Sequence, residues 1–249
     1  VSGQGELHLN IILKRLSQRF GVEVETKEPK IPYRETIKKT AEAQGKYKKQ
    51  TGGRGQYGDA YIRLEPLSRG EGIEFVDAIV GGAIPNKFIP AVEKGLKEAC
   101  EEGVIAGYPV VDIKATCFDG SYHSVDSSEM AFKVAGSMAF KKAFMDAQPV
   151  LLEPIYSLEV KVPEEFMGDV MGDISSRRGK IQGMDSDGRF QIIRARVPLA
   201  DLHKYTTVLR SMTQGQGIFH REFSHYEEVP FDIVEKIIEQ AKKEKEEAS

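Results

Sequence analysis

From residue 155 onward the order of apolar periods leaves few folds open. Alternation of apolar and polar residues predicts strands over 155–162, 180–184, 190–197 and 218–226, and helical spacing predicts helices over 165–176 and 202–212. That order, β-α-β-β-α-β, is the ferredoxin-like one. Asp185-Ser186-Asp187-Gly188 supplies the turn between the middle strands. A last helix over about 232–246 carries Ile233, Ile237, Ile238 and Ala241 as one stripe before it frays into charge. Such a helix is suited to packing on a neighbour or to keeping the chain soluble.

The upstream part reads differently. Residues 6–20 place Leu9, Ile12, Leu13, Leu16 and Phe20 on one helical face, with Gly21 positioned to end the helix, and 22–26 alternates as a strand. One helix and one strand cannot bury their own apolar faces, so this segment reads as the end of a domain that begins before Val1. Pro29 and Pro32 mark a boundary. Beyond it, 33–40, 57–67, 73–79 and 108–118 read as strands, and 86–102 and 127–146 as helices. This mixture makes an α+β domain. The chain of 249 residues is therefore expected to divide into 1–26, 27–150, 151–229, and a helix with an acidic tail over 230–249.

Composition narrows the chemistry. The net charge is −3, so whole-chain charge gives no argument for nucleic acid. Its distribution does, since residues 27–65 hold ten Lys/Arg against five Asp/Glu, while 227–249 hold four against eight. Cys100 and Cys117 are the only cysteines and form no C-x-x-C or Cys/His ligand pattern, which argues against a zinc site or a disulfide framework and fits the cytoplasm. The residues after Val1 show no basic n-region or apolar h-region and the sequence holds no transmembrane run, so no membrane partner is expected.

Two loops carry the functional signal. Gly45-Lys46-Tyr47-Lys48-Lys49-Gln50-Thr51-Gly52-Gly53-Arg54-Gly55-Gln56-Tyr57-Gly58 pairs clustered cations with side-chain amides and glycines. It reads either as a solvated hairpin tip or as an RNA-facing loop, where cations attract phosphates and glycines let backbone amides come close. Its G-x-G-x-x-G spelling is not a dinucleotide fingerprint, because a basic polar segment precedes it and a strand-like run follows. No Gly-Lys-Ser/Thr phosphate loop occurs in the chain. The second loop, Asp119-Gly120-Ser121-Tyr122-His123-Ser124-Val125-Asp126-Ser127-Ser128-Glu129, holds serine, histidine and aspartate without a nucleophile elbow, which disfavours a hydrolase. Ser127 or Asp126 is expected to cap the next helix with Glu129 in its first turn, leaving His123 exposed.

Together with Val80-Gly81-Gly82-Ala83-Ile84-Pro85 and Phe88-Ile89-Pro90-Ala91-Val92-Glu93-Lys94-Gly95, these loops resemble bacterial elongation factor G, a translational GTPase. Gln4-Gly5-Glu6-Leu7-His8-Leu9, Gly168-Asp169-Val170-Met171-Gly172-Asp173 and Arg177-Arg178-Gly179 extend the resemblance along the whole chain. It implies the end of the third domain over 1–26, a ribosomal-protein-S5-like fourth domain with the family's left-handed βαβ crossover over 27–150, and a ferredoxin-like fifth domain over 151–229. The resemblance further implies that the fourth domain reaches the small-subunit decoding site and promotes GTP-dependent translocation of tRNA and mRNA.

Tip positions carry over to Gln50, Thr51, Gly52, Gly53 and Arg54 in the first loop, and to His123, Ser124, Val125 and Asp126 in the second. Thr51 stands where the family usually has serine. Lys46, Lys48 and Lys49 would support the approach to phosphate. Arg177 and Arg178, beside the helix that would face the large-subunit GTPase-associated RNA, serve either RNA contact or solubility. Side-chain amide and imidazole groups suit 2′-hydroxyls and minor-groove edges, so recognition is expected by shape. No catalytic residue, metal ligand or cofactor is expected in this chain; GTP and Mg would bind in the family's N-terminal domain. The factor is expected to act as a monomer. Two other readings compete: a paralogous GTPase for ribosome recycling or ribosome protection, and a free-standing RNA-binding module, whose strands would need the aromatic pattern absent here.

Overall fold

The computed structural model describes residues 6–22, 29–50 and 55–247. The strand expected over 22–26 and the loop positions Thr51, Gly52, Gly53 and Arg54 fall outside that set. Two compact units make up the chain. One holds Pro154–His225 with the segment carrying helix α1 (Glu6–Phe20), and the other holds Pro32–Glu153 with the chain from Tyr226 onward. Helix α1 has the expected bounds and stops at Gly21, whose φ of 63° only glycine adopts readily and whose N–H donates to Ser17 O at 2.9 Å.

In the second unit the segment expected as one strand over 33–40 is two. Strand β1 (Arg34–Ile37) pairs with Pro149–Leu152, and strand β2 (Ala41–Lys49) pairs antiparallel with β3 (Gln56–Pro66). Between them the N–H groups of Lys38 and Lys39 donate to Ala147 O, which takes the chain out of the first ladder. Strands β4 (Ile73–Asp77) and β5 (Ile113–Ser121) complete a sheet of order β2-β3-β5-β4. β5 starts five residues later than the expected strand over 108–118. Asp112 sits at φ 59° with its buried carboxylate accepting the N–H groups of Gly70 and Gly72, both at 3.0 Å, and this breaks the extended run.

Helix α2 (Ile89–Glu102) crosses from β4 to its parallel neighbour β5, and helix α3 (Glu129–Asp146) follows β5. Both cover one face of the sheet. Their contact surface is Ile62, Leu64, Ile113, Ala115 and Cys117 from the strands against Val92, Leu96, Phe132, Phe140 and Phe144. The closest approaches are made by glycine: a Cβ at Gly58 would lie 2.4 Å from Ala131 O, and one at Gly95 2.0 Å from Lys133 O. Helix α6 (Phe231–Glu247) packs Ile233, Ile237 and Ala241 beside Leu151, Ala106 and Tyr108, so its apolar stripe is used within its own unit.

The other unit follows the ferredoxin-like order. Strand β6 (Pro149–Pro163), helix α4 (Met167–Ser176), strands β7 (Lys180–Asp187) and β8 (Phe190–Pro198), helix α5 (Tyr205–Met212) and strand β9 (Ile218–Glu228) form a sheet in which β8 lies between β6 and β7 while β9 pairs on the other side of β6. β6 starts before the expected residue 155 because its first residues pair with β1. Leu158, Val160, Ile193 and Ala195 pack under Val170, Ile174, Tyr205 and Leu209 to make the core. Burying these eight side chains contributes about 1.5–3 kcal/mol each for the larger ones, before chain entropy is counted.

Candidate nucleic-acid interface

The register of the sheet brings the two singled-out loops to one end of it. β2 and β3 pair through Lys49↔Gln56, and β3 pairs with β5 through Asp59↔Ser121. The connection 50–55 and the loop beginning at Tyr122 therefore leave neighbouring strand ends. The polar stretch 45–58 is mostly ladder rather than loop. Gly45–Lys49 and Gln56–Gly58 are paired strand, because β2 has little apolar content but a complete set of backbone partners in β3. Gly45 and Gly58 accordingly serve helix packing rather than an approach to phosphate.

Strand alternation sorts the lysines. Lys46 and Lys48 oppose Asp59 and Tyr57 and share their face, whereas Lys49 has the parity of Gly45, the helix side. The Lys46 ammonium lies 5.8 Å from the Tyr57 ring centre, and the Tyr57 and His123 rings are 6.4 Å apart. Below them, the buried Asp59 carboxylate accepts from Gln44 Nε2 at 2.8 Å and from Ser121 Oγ at 2.7 Å. Since the Ser121 hydroxyl spends its hydrogen on Asp59, the Tyr57 hydroxyl donates to Ser121 Oγ across 2.7 Å. Sequence reasoning does not find this brace of Gln44, Tyr57, Asp59 and Ser121. Its only sequence trace is the period-two placement of Tyr57 and Asp59 on one strand face.

The second loop closes on itself. His123 N donates to Ser127 Oγ at 2.9 Å and Ser127 N returns to His123 O at 3.1 Å, so Ser127 belongs to the loop. Ser128, rather than the expected Ser127 or Asp126, is the helix cap: its backbone is extended and its Oγ accepts from Ala131 N at 3.2 Å. His123 is 55% exposed. Its Nδ1 accepts the N–H groups of Val125 and Asp126 at 3.3 and 3.2 Å, which sets the neutral ring as the Nε2–H tautomer and leaves a donor, not an acceptor, for a partner. Ser124 and Val125 are exposed, as is Gln50 at the end of β2. Tyr122, 52% exposed beside His123, is a further candidate, and an aromatic side chain in so polar a loop is the signal for it.

In the ferredoxin-like unit Arg177 and Arg178 end helix α4. Arg178 adopts φ 57°, and Gly179 N donates to Ile174 O at 2.9 Å. The Arg177 side chain is 17% exposed, and its guanidinium donates to Asp173 Oδ2 and Asp201 O, both at 2.7 Å, over the Tyr205 ring. Arg178 Nε donates to Asp201 Oδ2 at 2.8 Å. On the same helix, Cβ atoms added at Gly168 and Gly172 would meet nothing within 4 Å.

Three family models match the chain: domain III of elongation factor G at residues 1–28, domain IV at 29–148 and the elongation factor G C-terminus at 150–237. An elongation factor G from Aquifex pyrophilus is 57% identical over 238 residues, 96% of this chain. The chain belongs to the elongation factor G family. It spans 34% of that relative's length, so it corresponds to the last part of domain III, domain IV and the C-terminal region of the elongation factor G architecture. A crystal structure from Thermus thermophilus matches with a TM-score of 0.86 at 52% identity, covering 97% of this chain and 36% of that one. The two-loop end described above thus lies in elongation factor G domain IV, and the Arg177–Asp173 pair in the C-terminal match. Among the described residues no group of side chains is arranged to hold a metal ion, and no helix is long and apolar enough to cross a membrane.

Proposed function

We propose that this chain is the ribosome-engaging arm of an elongation factor G, which places the two-loop end of the domain over 27–150 against RNA in the decoding site and promotes GTP-dependent movement of tRNA and mRNA. The observation that carries this reading is the convergence of the two loops at one sheet end, with Gln50 and His123 exposed there and Lys46 and Lys48 on the adjoining face. The groups offered are donors to phosphate and ribose: an ammonium, an amide and the Nε2–H of His123. Contacts made to phosphate and ribose do not depend on base identity, which suits a factor serving every codon. GTP and Mg act in the part of the family protein that this chain does not span.

The C-terminal unit offers a second RNA-facing surface on helix α4. Glycines in a helix are unfavourable by about 1 kcal/mol each relative to alanine, and Gly168 and Gly172 have no neighbour among the described residues that needs their smallness. An external backbone or phosphate approaching the helix would use it. Arg177, committed to Asp173 and Asp201, holds this helix end rather than reaching outward.

Single-turnover translocation by a full-length factor carrying Gln50→Ala, His123→Ala or both tests the tip. An ordinary hydrogen bond contributes about 0.5–1.5 kcal/mol, so each single variant should slow the step roughly two- to tenfold if the bond is made in the transition state. An unchanged rate in the double variant removes the tip assignment. Subunit splitting without translocation would assign the chain to a recycling factor instead.

A further inference from the structure

The carboxylate of Asp126 sits at the end of the sheet that the proposed function turns toward RNA, where a negative charge would oppose phosphate. Its oxygens are turned inward. Oδ1 accepts the N–H of Gly55 at 3.0 Å, Oδ2 lies 3.5 Å from His123 Nδ1, and the side chain is 25% exposed. The Asp126 carbonyl accepts the N–H of Tyr57 at 2.9 Å, and Ser127 bridges Tyr57 in parallel register. One residue of the second loop therefore satisfies two backbone donors at the root of the first, 71 residues away for Gly55.

From this geometry we infer that Asp126 is a positioning residue, a lock that makes the two loop roots one rigid body and sets the direction of His123. The inference rests on the proposed function and assigns within it a residue that touches neither RNA nor nucleotide. Three observations converge on it. The hairpin ladder ends at Lys49↔Gln56, so Gly55 lies beyond the last pair and its N–H donates to the Asp126 side chain instead of to β2. The same turn that presents the Asp126 carbonyl to Tyr57 directs the Val125 and Asp126 N–H groups onto His123 Nδ1, so the loop that grips the first strand root also fixes the imidazole tautomer. Glycine at position 55 leaves room for the bond: a Cβ there would stand 3.0 Å from Asp126 Cγ and from Oδ2, so the carboxylate would have to give way by a few tenths of an ångström at the point where it accepts the N–H. A preorganised pair of loops meets its partner without first losing conformational freedom, and misplacement by about 1 Å is enough to slow a positioned step on the order of a hundredfold.

The test is a double-mutant cycle in a full-length factor carrying this chain, with Asp126→Ala, Gly55→Ala and both. Either single change should slow single-turnover translocation about three- to tenfold while leaving the ribosome concentration for half-saturation within about twofold, and the double variant should be no slower than the worse single one. Asp126→Asn keeps an acceptor for Gly55 N–H and should recover most of the rate lost in Asp126→Ala. Hydrogen exchange gives a second readout, with the Gly55 amide exchanging faster in Asp126→Ala, while the Tyr57 amide, bonded to the retained main-chain carbonyl, and the β3–β5 ladder change less. Wild-type translocation in Asp126→Ala, alongside a slowed His123→Ala, would overturn the lock and leave the proposed function standing. Additive losses in the double variant, or Asp126→Asn as slow as Asp126→Ala, would overturn it too. Wild-type rates in the Gln50 and His123 variants would instead strike at the proposed function itself.

Discussion

A Cβ placed on Gly45 would stand 2.1 Å from the carbonyl oxygen of Ala135 and 2.4 Å from the backbone nitrogen of Ala139. Helix α3 thus rests on strand β2 backbone to backbone. Gly45→Ala forces the helix off the sheet, and overpacking of this kind destabilises by about 1–3 kcal/mol, at the upper end here because the obstacle is main chain. The melting temperature should fall by roughly 2–4 °C per kcal/mol. A variant with an unchanged melting curve would contradict the packing.

Glu35 is fully buried and accepts five backbone N–H groups: Val104 and Ile105 on Oε2 at 2.7 and 2.9 Å, and Ala106, Gly107 and Tyr108 on Oε1 at 2.9, 3.0 and 3.1 Å. Glu35→Gln keeps the shape but turns an amide donor toward at least two of those donors. Each unsatisfied buried group costs about 1–3 kcal/mol, and urea denaturation should register the loss. Proteolysis of the variant should cut first within 103–109.

Burial pushes the thiols of Cys100 and Cys117 from an ordinary 9.0 to about 12, with Glu101 adding to the first and Asp77 and then Asp119 to the second. An unfolded chain loses these protons near pH 9 and the folded one near 12, so in that window the unfolded state binds fewer protons and stability falls as pH rises. Below about pH 8 the contribution is fully present. Alkylation at about pH 8 should label neither cysteine until the protein unfolds. The alkaline loss should be shallower in a Cys100→Ala, Cys117→Ala double variant.

Gly172→Ala separates folding from binding. Replacing an unpacked helical glycine stabilises by up to about 1 kcal/mol, so the melting temperature should rise, while affinity for 70S ribosomes falls if the α4 backbone meets RNA. Unchanged affinity would remove α4 from the interface.

The legible parts of the fold are those where apolar period and element coincide. Helix α1, the β-α-β-β-α-β order and helix α2 follow from spacing alone. Strand β2 does not, because Ala41-Glu42-Ala43-Gln44-Gly45-Lys46 buries through alanine and glycine, and a glycine that admits a helix looks in sequence like one that makes a turn. The cap of α3 is ambiguous in sequence for a similar reason: Asp126, Ser127 and Ser128 can all accept a helix N–H, and only the bond from Ala131 N selects Ser128. Of the site, the exposure of His123 is legible. Its tautomer, the inward turn of Asp126 and the brace on Asp59 depend on register between β3 and β5, which no local pattern encodes.

The glycine contacts along α3 have a mechanical consequence. An 18-residue helix spans about 27 Å, and α3 starts at the loop holding His123 and is seated main chain on main chain at Gly58, Gly45 and Gly95. Side chains between two rods yield under load by changing rotamer, whereas abutting backbones do not. Helix α3 is a strut, and thrust applied at the loops reaches its far end at Asp146 with little lost to compression.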